Sequence, residues 1–190
     1  MKLFHTLKRD IWRTSSLIDG SRPRKLLSCF RSPGVQAAVT LRFGQWLLKR
    51  NLLAKVLLTH LYGILFHWIR TGWGIEIPRR ARIGEGLYIG HFGGIIVSPE
   101  AIIGKNLTIS QNVTIGESGQ GEKAGCPIIG DNVYIAPGAK ISGKMRIGDN
   151  AKIGANAVIY KDIPDNAIVV LSPGFQIISY KGNRPNNPAL

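Results

Sequence analysis

One of the chain's four histidines stands apart from the rest. His91 is followed by Phe92-Gly93-Gly94, whereas His5, His60 and His67 lie in a basic N-terminal stretch. A neutral imidazole accepts a proton from a hydroxyl as that hydroxyl attacks an electrophile, and its charge changes near neutral pH. A corner followed by two glycines leaves such a ring exposed and lets a ligand approach the backbone. Glu76 lies between Ile75 and Ile77 and, if those two face inward on a strand, points outward. Its carboxylate could fix the tautomer of an imidazole. Metal chemistry finds no support. There is no CxxC and no Cys/His spacing of a zinc site, and one histidine in this region cannot supply a three-histidine zinc centre. The two cysteines, Cys29 and Cys126, do not make a disulfide framework.

The elements that must position these groups repeat every six residues. Ala81-Arg-Ile83-Gly84 and Leu87-Tyr-Ile89-Gly90 begin the series. After an offset come Ala101-Ile-Ile103-Gly104, Leu107-Thr-Ile109-Ser110 and Val113-Thr-Ile115-Gly116. After a second come Val133-Tyr-Ile135-Ala136, Ala139-Lys-Ile141-Ser142, Met145-Arg-Ile147-Gly148 and Ala151-Lys-Ile153-Gly154. So short a period fits one strand and one turn, as in a parallel β-helix; strands of a sandwich recur at roughly 8–12 residues. The first residue and the Ile face inward, and the residue between them faces out. The small residue after each Ile is expected to let the backbone turn a corner without a Cβ clash. The offsets fall at Phe92-Gly93-Gly94 and at Glu117 to Cys126; a solenoid accommodates such insertions as surface loops, which commonly carry function.

From about residue 32 to 173 the chain resembles the hexapeptide-repeat acyltransferases, and within them the serine acetyltransferase and colanic-acid acetyltransferase branch. The matching text is Gly74-Ile-Glu-Ile-Pro78, Ile83-Gly-Glu-Gly-Leu-Tyr-Ile-Gly-His91, Val113-Thr-Ile-Gly116 and Ala151-Lys-Ile-Gly-Ala155. The resemblance implies a mainly β fold, a left-handed parallel β-helix behind an N-terminal α-helical segment. It also implies an O-acetyltransferase that uses acetyl-CoA as co-substrate and no metal. The family's catalytic histidine falls on His91, and its carboxylate partner on Glu76, fifteen residues earlier. The Gly116–Glu117 turn would supply a backbone N–H to the oxyanion. Coenzyme A would lie in the outer groove between two neighbouring β-helices, at Pro137, Lys152, Ala155 and Ala157. Small residues let the pantetheine arm lie against backbone, and Lys152 meets a phosphate as a point charge. Lys140, Lys144 and Arg146 are candidates to add to this. An intersubunit groove makes the enzyme a homotrimer with three sites.

Two positions depart from serine acetyltransferases, which place an Asp directly before the histidine and an Arg-His pair before a loop Pro. Here these read Gly90 and Gly125-Cys126-Pro127. Each lost charge-assisted contact to an amino acid costs about 1.5–3 kcal/mol. Gly90 and Cys126 therefore point to a saccharide acceptor, a sugar hydroxyl in exopolysaccharide or capsule assembly. The alternatives are serine O-acetylation in cysteine biosynthesis and a non-catalytic membrane-associated β-helix scaffold.

The net charge of +14 over 190 residues is uneven. Residues 1–74 hold thirteen Lys and Arg against Asp10 and Asp19, whereas the repeat body is almost neutral. No nucleic-acid-binding module accompanies this excess, so an anionic membrane surface is the expected partner. A short amphipathic helix is expected near 3–13, with Gly20 and Pro23 as breakers and Ser32-Pro33-Gly34 as a turn. A helix over 35–50 and a second over 52–71, N-capped by Asn51, follow. The second is nearly long and apolar enough to span a membrane, but Lys55, His60 and His67 argue for an interfacial or end-capping helix. The organisation expected is therefore a basic helical segment over 1–74, the catalytic β-helix over 75–172 and a tail over 173–190. An apolar strand at 167–171 closes the β-helix, and residues 182–190, rich in Asn and Pro, are expected to stay disordered. The first residues lack the apolar core of a signal peptide. The chain thus reads as cytoplasmic with reduced thiols, peripheral on the inner face of the membrane.

Overall fold

The computed structural model describes residues 3–121 and 124–171. Four helices come first: α1 (Leu3–Ser16), α2 (Arg22–Arg31), α3 (Pro33–Leu47) and α4 (Leu52–Trp73). Fourteen strands follow among the described residues, each of two or three residues, arranged as three parallel sheets around a triangular coil. The first face holds β1 (Ile75–Glu76), β4 (Ile95–Val97), β7 (Thr114–Gly116), β10 (Lys140–Ser142) and β13 (Val158–Ile159). The second holds β2 (Arg82–Ile83), β5 (Ile102–Ile103), β8 (Ile128–Ile129) and β11 (Arg146–Ile147). The third holds β3 (Tyr88–Ile89), β6 (Thr108–Ile109), β9 (Tyr134–Ile135), β12 (Lys152–Ile153) and β14 (Ile168–Val169).

The hexad accounts for the core. Each coil stacks its isoleucine on the one below, as in Ile83–Ile103–Ile129–Ile147 and Ile89–Ile109–Ile135–Ile153. The first residues of the hexads, such as Ala101, Val113, Val133, Ala139 and Ala151, are fully buried beside them. Burying each such isoleucine contributes about 1.5–3 kcal/mol.

The corners work differently from the expectation. The small residue after the Ile does not carry the positive φ. It is small because the next coil stacks directly on it: a Cβ on Gly84 would lie 2.6 Å from the Gly104 carbonyl oxygen. The left-handed conformation sits two residues later, on Asn106, Asn132, Asn150 and Asn166, all with φ near 56–60°. Asparagine tolerates that region because its short polar side chain bonds locally. Here its side chains also join the coils: the Asn106, Asn132 and Asn150 amides each donate to the next asparagine's Oδ1 at 2.9–3.1 Å.

A coil leaves its first turn open, and the helices close it. Ala37, Ala38 and Leu41 of α3 and Ile69 of α4 join the core of the coil. At Gly34 a Cβ would stand 2.6 Å from the Ile89 carbonyl oxygen, so only glycine lets α3 come this close. The helix starts differ from expectation in two places. Pro23 opens α2 rather than breaking the chain, because its fixed φ and missing N–H suit a first helical turn. Likewise Ser32-Pro33-Gly34 is the start of α3, not a free turn. Asn51 caps α4 by accepting from the Ala54 N–H at 3.1 Å, and Gly74, with φ 63°, ends it. Both cysteines are free; burial pushes the Cys29 thiol up. The 173–190 tail lies outside the described residues.

One buried ion pair ties α1 and α3 to the coil. Asp10 Oδ2 accepts from Arg42 Nε at 2.8 Å, and both side chains are almost completely buried. Asp10 Oδ1 also accepts from the Gly86 and Leu87 N–H groups at 2.7 and 2.9 Å. Arg42 donates to the Ile83 and Gly84 carbonyls at 2.7 and 2.6 Å. Removing one member of such a pair leaves an uncompensated buried charge. Asp10→Ala is therefore expected to lower the unfolding free energy by about 3–5 kcal/mol in urea titrations. A loss under about 1 kcal/mol would show that the clamp contributes little.

Candidate functional site

His91 sits where β3 hands over to β4, and it is exposed. Phe92, next to it, packs edge-on against Trp73 at the end of α4, with ring centroids 5.3 Å apart. The two inserted glycines turn the chain back, with φ 102° at Gly93 and 64° at Gly94, and the Gly93 carbonyl accepts from the Asn112 N–H at 2.7 Å. This places the imidazole on an outward shoulder anchored on both sides. Its side chain makes no hydrogen bond or ion pair among the described residues. Glu76 is half-buried on β1, opposite Ile96, and no hydrogen bond or ion pair joins it to His91. Catalytic hydrogen bonds are commonly long in ligand-free enzymes and close on substrate.

Gly90 is not enforced by lack of space. A Cβ there would meet only Tyr88 and Ser110, at 3.4 to 3.7 Å, which is ordinary contact. The register that pairs Tyr88 with Thr108 and Ile89 with Ile109 puts Gln111 one coil beyond His91. Gln111 Oε1 is buried without a partner. The sequence reading passed over Gln111; its signal is its place in register with His91, visible only once the pairing is known.

The same edge runs on from Gln111 to Pro137 and Ala155, which occupy this corner in the next two coils. With coils about 4.8 Å apart, the four residues form a column leading away from the histidine. Lys152 is exposed on the adjoining third face. Ala157 must be corrected. It is the inward first residue of its hexad, 2% exposed in the core, so its side chain cannot line an outer groove. Lys140 is also committed elsewhere, since its ammonium donates to the Asn112 carbonyl at 2.6 Å and to Thr114 Oγ1 at 3.2 Å.

Gly116, Glu117 and Cys126 cluster at the opposite edge of the first face, where the long insertion leaves β7. There Ser118 and Gly125 exchange both backbone hydrogen bonds at 3.1 Å, and the Cys126 thiol donates to Ser98 Oγ at 3.1 Å. Strands of three residues, at about 3.3 Å each, separate this edge from His91 by roughly 10 Å. One chain thus groups His91, Gly90 and Gln111 at one edge, and the turn and loop at the other. A cavity of about 420 Å³ lies beside the second face, with Lys49, Arg79, Arg80 and Arg82 in its lining.

The coil matches known proteins. Residues 126–161 match the bacterial transferase hexapeptide (six repeats) family. A serine acetyltransferase of Mycobacterium tuberculosis is 36% identical over 185 residues, covering 96% of this chain and 77% of the relative. One of Synechococcus elongatus is 36% identical over 151 residues, and the match covers 79% of this chain but only 58% of that protein. Among solved structures, the Neisseria gonorrhoeae serine acetyltransferase in complex with serine aligns with a TM-score of 0.71 at 28% identity, covering 90% of this chain and 67% of that one. Serine acetyltransferase isoform 3 of Entamoeba histolytica in complex with cysteine gives 0.70 at 27% identity, covering 93% and 61%. A serine acetyltransferase complex with CoA aligns at 0.69 and 25% identity, over 87% of this chain and 66% of that one. The fold is the left-handed parallel β-helix of these proteins, behind an N-terminal helical part. The comparisons correct the expected saccharide acceptor and polysaccharide branch: these relatives and structural neighbours are serine acetyltransferases. Two substituted positions, Gly90 and Gly125-Cys126, are outweighed by similarity running through nearly the whole chain, and the chain belongs to the serine acetyltransferase family.

Proposed function

We propose that the chain is an acetyl-CoA-dependent serine O-acetyltransferase in which His91 is the general base. The observation that carries this reading is the exposed histidine on a glycine shoulder, within a coil similar to serine acetyltransferases along 96% of the chain. In the reaction, His91 takes the proton of the serine hydroxyl as its oxygen attacks the acetyl carbonyl carbon of the thioester. The carbonyl becomes an oxyanion. Its collapse breaks the C–S bond, and the imidazolium returns the proton to the departing thiolate. Glu76 is the group that orients the ring.

The oxyanion donor is the N–H of the Gly116–Glu117 turn. Because that turn and His91 occupy opposite edges of one face, the turn that serves His91 belongs to a neighbouring copy. This favours a homotrimer with a site at each of three interfaces. Pro137, Lys152 and Ala155, on or beside the column above His91, hold coenzyme A. Gly90 and Gly125-Cys126 leave the amino acid with fewer charged contacts than an Asp and an Arg-His pair provide. A weak apparent affinity for serine follows.

His91→Ala is expected to cut kcat by about 10²–10⁴-fold in a protein whose circular dichroism is unchanged. Mass spectrometry of O-acetylserine formed from acetyl-CoA and L-serine reads this directly. No product above the enzyme-free rate with the unaltered chain would overturn the acceptor, and full turnover by His91→Ala would overturn the mechanism. Gly90→Asp adds a carboxylate at a position with room for a Cβ. It is expected to raise kcat/KM for serine about tenfold, mainly through KM, as one charge-assisted contact of about 1.5 kcal/mol requires. An unchanged or lower kcat/KM would place the amino acid elsewhere.

A further inference from the structure

We propose that the outer face of α2 and α4 docks peripherally on an anionic phospholipid bilayer. The proposal is independent of the reaction at His91.

Helix α4 is 22 residues long and apolar enough to cross a membrane by length and composition, yet only 11% of its most apolar stretch is buried. Tyr62 and Ile69 are its buried residues. Leu53, Leu57, Leu61, Ile64 and Trp68 are all exposed and follow one another at spacings of four, four, three and four. That spacing lines them along a single stripe. The stripe continues onto α2. Phe30 of α2 shares a groove of about 320 Å³ with Val39 of α3 and with Leu65 and Trp68 of α4. On α2, exposed Leu26, Leu27 and Phe30 are flanked by Arg22, Arg24 and Lys25 before them and Arg31 after. An apolar surface this continuous marks an interaction site.

Three observations identify the occupant. Spanning is excluded by attachment: the opposite side of α4 packs on α3, where a Cβ on Gly44 would come within 2.4 Å of the Tyr62 ring. The helix also runs straight into the first coil through Gly74, and Arg79 of that coil lies over the Tyr62 ring at 4.7 Å. A helix held on one side by a water-soluble body lies in the interface. Charge gives the second observation. Asp10 and Arg42 neutralise each other in the core and Arg13 is bonded to the coil, so the other eleven Lys and Arg of residues 1–74 stand against Asp19 alone. Lys49 and Arg50 precede α4 and Arg70 closes it, which puts cations at both ends of the stripe. Third, the copies of the proposed trimer meet along the edges of the first face, and a contact of this helical face with its own counterpart would set two surfaces of the same charge against each other. An anionic leaflet supplies the countercharge.

The test is sedimentation of the full chain with vesicles of phosphatidylcholine alone and of phosphatidylcholine with phosphatidylglycerol, at 0.1 M and higher salt. Binding should be at least tenfold stronger to the anionic vesicles and should fall as salt screens the charges. Ile64→Ser/Trp68→Ser, on the exposed stripe, and Arg24→Glu/Lys25→Glu, on α2, should each reduce it at least tenfold. Acetyl transfer in solution should be unchanged in both. Equal binding to both vesicle types, no binding to either, or resistance to high-salt extraction would each overturn the proposal. So would a Ile64→Ser/Trp68→Ser protein that splits into smaller assemblies on gel filtration while the unaltered chain ignores vesicles; that result would assign the face to a second copy.

Discussion

A strand of two residues buries almost nothing by itself. Every coil of this protein is stable only because another lies on it, with isoleucine over isoleucine inside and backbone bonded to backbone between. This stacking constraint sets the rest. It requires nearly identical spacing in successive turns, so departures are confined to corners. Both inserted segments occur there, at His91 and after Gly116, and both lie at candidate chemistry. The ladder of asparagine amides along one edge is the polar counterpart of the isoleucine columns, satisfying side chains that the left-handed corners require.

Stacking also leaves an end. The first coil has no neighbour beneath it, and α3 with the C-terminal end of α4 supplies the missing surface. The clamp of Asp10 and Arg42 is more polar than a simple lid needs. Its hydrogen bonds run to the backbone of residues 83–87, where the first coil has no preceding coil to bond with. Buried charge here substitutes for the absent coil, and it fixes the angle at which the helices meet the β-helix. That angle leaves one side of α4 exposed among the described residues. A helix as apolar as this one is normally buried on most sides.

Within the site, one protomer shows both the strength and the incompleteness of the arrangement. His91 is held by the packing of Phe92 on Trp73 and by the turn at Gly93, while its ring stays open to solvent. The Gly116–Glu117 turn and the cysteine loop sit across the face from it. Residues proposed for one reaction are thus divided between two edges of one prism, and the proposed neighbouring copy is what would bring them together. The glycine at position 90 has room beside it for a Cβ, so the coil itself does not demand glycine there.

The coil, its phase and its two insertions were legible from the sequence because a six-residue period maps directly onto inward and outward positions. The position of His91, the sole histidine of the repeat, at an exposed glycine-rich break was legible for the same reason. The acceptor was misjudged from two local substitutions, whereas similarity along the whole chain points to serine acetyltransferases. The hexad phase already places Ala157, the first residue of Ala157-Val158-Ile159, facing the core, so its assignment to the groove went against the pattern. Nor could it reveal α2, since Pro23 reads as a breaker until a helix is seen to start there. Three features needed the tertiary structure: Gln111 in register with His91, Asp10 paired with Arg42 across thirty-two residues, and the opposition of the loop to the histidine. Each joins residues far apart in the chain through the pitch and edges of the coil, and a repeat specifies each step of that coil without specifying which side chains meet at its corners.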